Sequence, residues 1–239
     1  DGGDDLLEKY DELDPRFAQT IAAHGANWNT EIGILNFLPG GAHNVANDKT
    51  KHLVRKWVPR VLRATAPRNS TNMDWIVFRV AELYLNYAEA LNELTTSYEV
   101  PSWDGSITYT ISRNVEDMRT GIKPIRMRAG VPDYDADTYS NPIKFRIKLK
   151  RERQIELFAE GKRYYDLRRW KDAEVEEAMP VYGCYTFMSN ANKGLFHTPV
   201  PISNLSATFS PKMYFWPIKH SELKRNKLLT QNPGWTYND

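Results

Sequence analysis

A chain of 239 residues, 41% of them hydrophobic, is long enough to enclose a core and corresponds to one large domain or two small ones. Its 32 basic and 30 acidic residues leave a net charge of only +2, which argues against a nucleic-acid partner, because such a partner requires a concentrated basic field. Cys184 is the single cysteine, so an intrachain disulfide and a cysteine-based metal cluster are excluded, and no run approaches the ~18 apolar residues of a membrane span.

The first residues, DGGDDLLEKYDELD, are acidic and lack the basic, apolar and small-residue regions of a secretory signal. Leu6 to Leu13 has the pattern of a short amphipathic helix. Asp14-Pro15-Arg16-Phe17 follows, where proline favours a turn or a helix start, and Thr20-Ile21 begins a strand-like step. From His24 to Ser70 the helical period disappears and Gly, Asn and Pro accumulate, with a turn at Pro39-Gly40-Gly41. Irregular segments held by a firm scaffold are where binding residues gather. Trp28, flanked by Asn27, Asn29 and Thr30, sets a flat ring beside amide and hydroxyl groups. Sugar recognition needs that mixture, since the C–H face of a pyranose stacks on an aromatic while its hydroxyls need donors and acceptors. The same ring can equally plug the edge of a core. Trp57, within LVRKWVPRV, has apolar neighbours and reads as structural.

Residues 75–94, WIVFRVAELYLNYAEALNEL, predict a strong helix in which Val80, Leu83, Tyr84, Tyr87, Ala88 and Leu91 form the apolar face. Small Ala81, Ala88 and Ala90 would let another helix come close. Residues 95–113 are far longer than a tight turn: Pro101 and Asp104-Gly105 flank a loop, and Ile107, Tyr109 and Ile111 alternate as in a short strand. Trp103 beside Asp104 is therefore a second ligand candidate, against the alternative that the ring only pins the hairpin. A partner helix is predicted over Val115–Met127, stopped by Gly130 and Pro132, with Lys123-Pro124 reading as a break within it.

The stretch from Ile143 to Asp172 dominates the pattern as one long helix or two shorter ones with a bend. Ile147, Ile155, Phe158 and Tyr165 are expected to line the side turned inward, and Glu152, Glu156 and Glu160 another face. Local ion pairs contribute only about 0.2–0.5 kcal/mol each, so Arg163, Asp166, Arg168 and Arg169 are expected to be partly buried and to satisfy other segments. Residues 173–210 are irregular again, with Tyr182, Tyr185, Phe187 and Phe196 among polar residues.

Four motifs, in order, carry a resemblance. They are Asp14-Pro-Arg16 with Thr20-Ile21, then Arg126-x-Arg128-Ala-Gly130, then Glu152-Arg-x-x-Glu156-Leu-x-x-Glu160-Gly-x-Arg163-x-x-Asp166-Leu-Arg-Arg-Trp170, and finally Phe215-x-Pro-Ile218 with Gln231-Asn-Pro-Gly-Trp235. Together they resemble the C-terminal part of SusD/RagB-like proteins, the nutrient-binding surface lipoproteins of Bacteroidetes-type bacteria. The resemblance implies a mainly α fold of TPR-like helical pairs with long irregular loops and a few short strands. It implies that residues 1–239 are one folding unit, the later portion of a longer protein whose N-terminal half and lipid-bearing cysteine lie outside it. It further implies outer-membrane localisation, an oligosaccharide or other nutrient ligand, and hand-off to a SusC-like TonB-dependent transporter, with no cofactor. In this chain, Asn27, Trp28, Asn29, Trp103 and Asp104 are the residues expected to meet a glycan.

Two other classes remain for comparison. A TPR-like scaffold that binds only proteins would show a similar Ala and Tyr pattern. A glycoside hydrolase needs two carboxylates ~5–10 Å apart across a cleft, but Glu152, Glu156 and Glu160 sit in arginine-rich sequence, where pairing holds them ionised. The five histidines, His24, His43, His52, His197 and His220, have no metal-ligand spacing, and no phosphate-cradling or nucleophile-elbow motif is present.

Overall fold

The structure, a computed structural model, describes residues 10–44, 50–63, 67–185, 197–203 and 208–237. The predicted helix from Leu6 to Leu13 lies mostly outside these residues, as do Phe187 and Phe196; Tyr10 and Asp11 form a helical turn. A short helix α1 (Arg16–Thr20) leads into strand β1 (Ile21–Ala22), which pairs antiparallel with β2 (Leu53–Val54). Helix α2 (Val80–Asn92) follows, then an antiparallel hairpin of β3 (Tyr98–Pro101) and β4 (Thr108–Ile111), then helix α3 (Val115–Arg128). Helices α4 (Ala136–Ser140), α5 (Pro142–Glu156), α6 (Arg163–Arg169) and α7 (Ala173–Glu176) come next. A small pair, β5 (Tyr182–Gly183) with β6 (Val200–Pro201), a 3-10 turn at Pro211–Tyr214 and helix α8 (His220–Arg225) follow among the described residues.

Three of the helices begin where a side chain replaces missing backbone partners. Asn114 accepts from the amides of Glu116 and Asp117 at the start of α3, Asp135 from Thr138 at α4, and Asn141 from Ile143 and Lys144 at α5. Gly130, at φ +76°, follows the end of α3 as expected. Pro124 does not break that helix. It sits on the exposed side, and burial of Ile122 and Ile125 on the opposite side offsets the lost hydrogen bond. The Ile143–Asp172 stretch is two helices with a bend, and the bend is made by Ala159 (φ +60°) and Gly161 (φ +73°).

The core is a bundle in which α2 packs on α3, α5 packs on α2, and α4 bridges α3 and α5. Its buried members include Leu85, Ala88 and Leu91 of α2, Met118, Ile122 and Ile125 of α3, Tyr139 of α4, and Phe145 and Leu149 of α5. Gly121 is where α2 and α3 come closest, since a Cβ there would stand 2.6 Å from the Tyr84 carbonyl oxygen and 2.8 Å from the Ala88 Cβ. A second, small cluster joins Ala22, Leu35 and Phe37, with Trp28 and Ile32 packed against it.

Two predicted faces are corrected. On α2, which starts at Val80 rather than Trp75, the buried residues are Ala81, Leu85, Ala88 and Leu91, whereas Val80, Leu83, Tyr84 and Tyr87 are exposed. On α5 and α6, Ile147 is 63% exposed and Tyr165 68% exposed, while Phe145, Leu149, Glu152, Arg153 and Glu156 are buried. Positions 145, 149, 152 and 156 follow the helical period, so the glutamates continue the inward face. Charge pairing across that face, which periodicity of apolar residues cannot register, decides which side turns in.

Candidate functional site

The buried carboxylates form an ion cluster that joins the start of the chain to the bundle. Asp14 accepts from the Arg16 backbone amide (3.0 Å) and from its Nε (2.8 Å), which holds the guanidinium in place. Arg16 then reaches Glu152 (2.7 Å) and Glu156 (2.9 Å). Arg126 donates to Glu152 (2.6 Å), Arg128 to Glu156, and Arg79 to both Glu156 (2.5 Å) and Glu160 (2.8 Å). Lys56 reaches Glu160 (2.5 Å) and the Phe158 carbonyl (3.0 Å), and the Trp57 indole donates to the Ala159 carbonyl (2.7 Å). Burial alone would raise the pKa of Glu156, but hydrogen bonds from Arg128, Arg79 and Arg16 outweigh it and hold the carboxylate at about 2. Glu160 is likewise held low, because its bonds to Arg79 and Lys56 exceed the effect of desolvation.

An open cleft of about 500 Å³ lies over this cluster, lined by Arg16, Lys56, Arg79, Arg128 and Glu156 among others. Every nitrogen of Arg16 and Arg79 is already engaged, and the Lys56 ammonium has three acceptors. The cluster is therefore joinery, with Glu156 and Glu160 held ionised and the cations of Arg16, Arg79 and Lys56 already engaged. A second node does the same for the far end of the stretch. Arg153 meets Asp166 through two nitrogens (3.0 Å each), Arg169 meets Glu89 and Asp166 (2.9 Å), and the Trp170 indole meets Glu89 (2.7 Å). Arg163 and Arg168 pair outward with Glu176 (2.9 Å) and Glu177 (2.8 Å).

The first expected ligand group is brought together. Asn27, Trp28 and Asn29, with Thr30, Gly33, Ile34 and Arg60, line an open depression of about 510 Å³. Trp28 is half-buried: one side packs on the Ala22, Leu35 and Phe37 cluster, and the Arg55 guanidinium lies 5.8 Å from its ring centroid. Asn29, an expected ligand contact, fastens its own loop. Its amide nitrogen donates to the carbonyls of Arg60 (2.8 Å) and Leu62 (3.2 Å), and its oxygen accepts from Glu31 and Ile32. Its polar capacity is filled by the loop it closes, which a sequence cannot show. Arg60, from a distant part of the chain, is the residue that sequence reading missed.

The second group stands at the tip of the β3–β4 hairpin and does not line that depression. Trp103 is 99% exposed, so it pins nothing. Asp104 Oδ1 accepts from Ser102 Oγ (2.6 Å), the Ser106 amide (3.1 Å) and Ser106 Oγ (2.8 Å), which brings its pKa down to about 2. These bonds fix the turn, with Gly105 at φ +71°, and leave the indole projecting from a rigid loop.

Elsewhere, the Cys184 thiol donates to the Thr50 carbonyl (3.1 Å) and lies 3.7 Å from His52 Nδ1. Nδ1 itself is 2.6 Å from that same carbonyl, so it carries the proton, and Tyr10 hydroxyl meets Nε2 (3.2 Å). Both ring nitrogens are thus committed, and the imidazole is not placed to take the thiol proton. Among the described residues no helix is long and apolar enough to cross a membrane.

The fold of this chain has counterparts among known proteins. The SusD family model matches residues 1–235. The chain belongs to the SusD family. A crystal structure of a SusD-like protein from Bacteroides fragilis NCTC 9343 superposes with a TM-score of 0.73 at 27% identity, covering 96% of this chain and 40% of that one. Two structures of a protein designated BT4246, one with selenomethionine, give TM-scores of 0.72 at 23% identity, cover 93% of this chain, and share its fold. No curated protein matches the chain. The present sequence therefore spans about 40% of the length of the SusD-like protein it matches. Within the SusD fold as seen here, the family motifs Asp14-Pro-Arg16, Arg126-x-Arg128 and Glu152 to Glu160 are the parts of one ion cluster.

Proposed function

We propose that this chain is part of a surface lipoprotein of the outer membrane of a Bacteroidetes-type bacterium. In this reading the protein captures an oligosaccharide or related nutrient and passes it to a SusC-like TonB-dependent transporter. Membership of the SusD family supports the reading in general, and the fully exposed Trp103 on a fixed hairpin is the observation that carries it for this chain. An indole held in water by a rigid turn has no folding role, and its area is available to stack against a pyranose ring. Trp28, Asn27 and Arg60 supply a second surface, in which the ring is supported from behind by a small core. Catalysis is not part of the reading, since Glu156 and Glu160 are held ionised by the cations around them.

The expected result is retention on polysaccharide gels that falls about tenfold with Trp103→Ala, equivalent to ~1.4 kcal/mol. Trp28→Ala is expected to weaken it by a similar factor while also loosening the loop. Unchanged retention in both variants, with their folds intact by circular dichroism, would refute this site.

The exposed face of α2, with Val80, Leu83, Tyr84 and Tyr87, favours a protein neighbour as well. Because the chain spans only part of its SusD-like relative, we assign that face to packing against the remainder of a longer SusD-like protein. The isolated chain is then expected to bind a hydrophobic dye or to self-associate in native mass spectrometry. A dye-silent monomer would count against the assignment, and indifference to every glycan alongside co-purification with a transporter would favour a protein-only scaffold.

A further inference from the structure

A separate cavity of about 620 Å³ lies between the end of α6 and the closing segment of the chain, a size typical of small-ligand sites. Arg168, Lys171 and Glu174 line one side, and Lys212, Tyr214 and Phe215 the other. The wall is pre-organised by the closing motifs. Gln231 bridges the Ile218 amide (2.7 Å) and carbonyl (3.0 Å), and the Trp235 indole donates to the carbonyls of Lys212 (2.9 Å) and Phe215 (3.0 Å). Gly234, at φ +82°, is needed for the approach, because a Cβ there would fall 2.7 Å from the Lys212 Cβ. These motifs thus do more than end the chain.

The chemistry of the lining is incomplete as it stands. Arg168 uses its two terminal nitrogens on Glu177 and stacks 3.5 Å from the Tyr164 ring centroid, yet its Nε is enclosed with no hydrogen-bond partner. The Tyr214 hydroxyl is enclosed beside Glu174, and desolvation, followed by the charge of that carboxylate and a hydrogen bond to it, raises its pKa. An enclosed donor without a partner, such as Arg168 Nε, is uncommon and points to a missing group. Lys171, at φ +59°, is the left-handed residue that closes α6: its amide meets the Arg168 carbonyl (3.1 Å) and that of Asp172 the Leu167 carbonyl (2.9 Å), which sets the lysine at the cavity rim. Neither Lys171 nor Lys212 has a carboxylate partner among the described residues; the Lys212 ammonium rests 4.1 Å from the Trp235 ring centroid. With Arg168 neutralised by Glu177, the lining carries two ammonium groups against the single carboxylate of Glu174. One negative charge is wanting.

We infer that this cavity binds an acidic sugar unit, a uronate, with its carboxylate between Lys171 and Lys212, its ring against Phe215, and its hydroxyls toward Tyr214 and Glu174. The inference rests on the glycan-binding reading above and names the class of sugar. A neutral hexose would leave the lysines unmatched, and a bare inorganic anion would leave the aromatic wall and the enclosed hydroxyl unused.

The test is isothermal titration of the chain with trigalacturonate and with its methyl ester, which has the same rings without charge. The acid is expected to bind at least tenfold more tightly than the ester. Lys171→Gln with Lys212→Gln should bring the acid down to the level of the ester, whereas Lys212→Arg should keep the preference. Trp103→Ala should weaken both ligands and leave their ratio unchanged. Equal affinity for acid and ester, or a preference that survives the double variant, would overturn the inference. Should neutral glycans bind through Trp103 with no acid preference, the inference falls while the broader reading stands. Binding of the acid, lost in the double variant but untouched by Trp103→Ala, would instead uphold the cavity and overturn the hairpin site.

Discussion

Replacing Glu156 with alanine is expected to destabilise the chain by about 3–5 kcal/mol, the range for removing one partner from a buried ion pair. Its side chain is 2% exposed and receives Arg16, Arg79 and Arg128. The cluster holds the cations of Arg16, Lys56, Arg79, Arg126 and Arg128 against the anions of Asp14, Glu152, Glu156 and Glu160. Loss of one anion raises the excess from one positive charge to two, where water cannot compensate fully. Arg128→Ala should cost less than about 1 kcal/mol, since that side chain is largely exposed and Glu156 keeps two other donors. Urea denaturation of both variants separates the cases; equal losses would show that the cluster behaves as ordinary surface charge.

The same carboxylate sets a pH window. Its pKa falls from 4.5 to about 2 on folding, so its contribution is present in full above pH 4.5 and is lost as pH falls through about 2. Allowing for solvent screening at the open cleft, that loss is on the order of 2 kcal/mol. Glu156→Gln should flatten the acid limb of the stability curve, and parallel curves for variant and wild type would contradict the assignment.

Gly121→Val is expected to destabilise by about 2–3 kcal/mol, the upper part of the range for overpacking a filled core. Intrinsic helix propensity argues the other way, because glycine within a helix is less favourable than most residues by up to ~1 kcal/mol. The geometry decides. A Cβ at position 121 would meet backbone, the Tyr84 carbonyl at 2.6 Å, and backbone cannot swing aside as a long side chain could. The α2–α3 pair would have to separate, opening space around Leu85, Met118 and Ile122. Thermal unfolding that leaves Gly121→Val as stable as wild type would show that the helices can shift freely, and would contradict the close packing described here.

Much of the framework is legible in residue order alone. The partner helix stopped by Gly130 and the hairpin around Asp104-Gly105 follow from local backbone preference, which neighbouring residues dictate, whereas the choice between one helix and two over Ile143–Asp172 stayed open. The inward faces of α2 and α5 do not. Apolar residues occupy more than one side of each helix, and the side that turns inward was selected by partners far along the chain: Gly121 opposite Ala88, and Arg16 and Arg79 opposite Glu156.

The candidate site divides in the same way. Trp103 was identifiable because a tryptophan in a long polar loop has few reasons to be there. The filled hydrogen bonds of Asn29, the approach of Arg60 and the cavity behind Trp235 depend on segments that sequence separates by tens of residues. The sequence by itself determined the main helices, the hairpin and the motifs, because those depend on short-range backbone and side-chain chemistry. Only the tertiary structure decided which charges are buried, which rings are free and where a ligand could fit, because burial and pairing are properties of surfaces that exist only after distant segments meet.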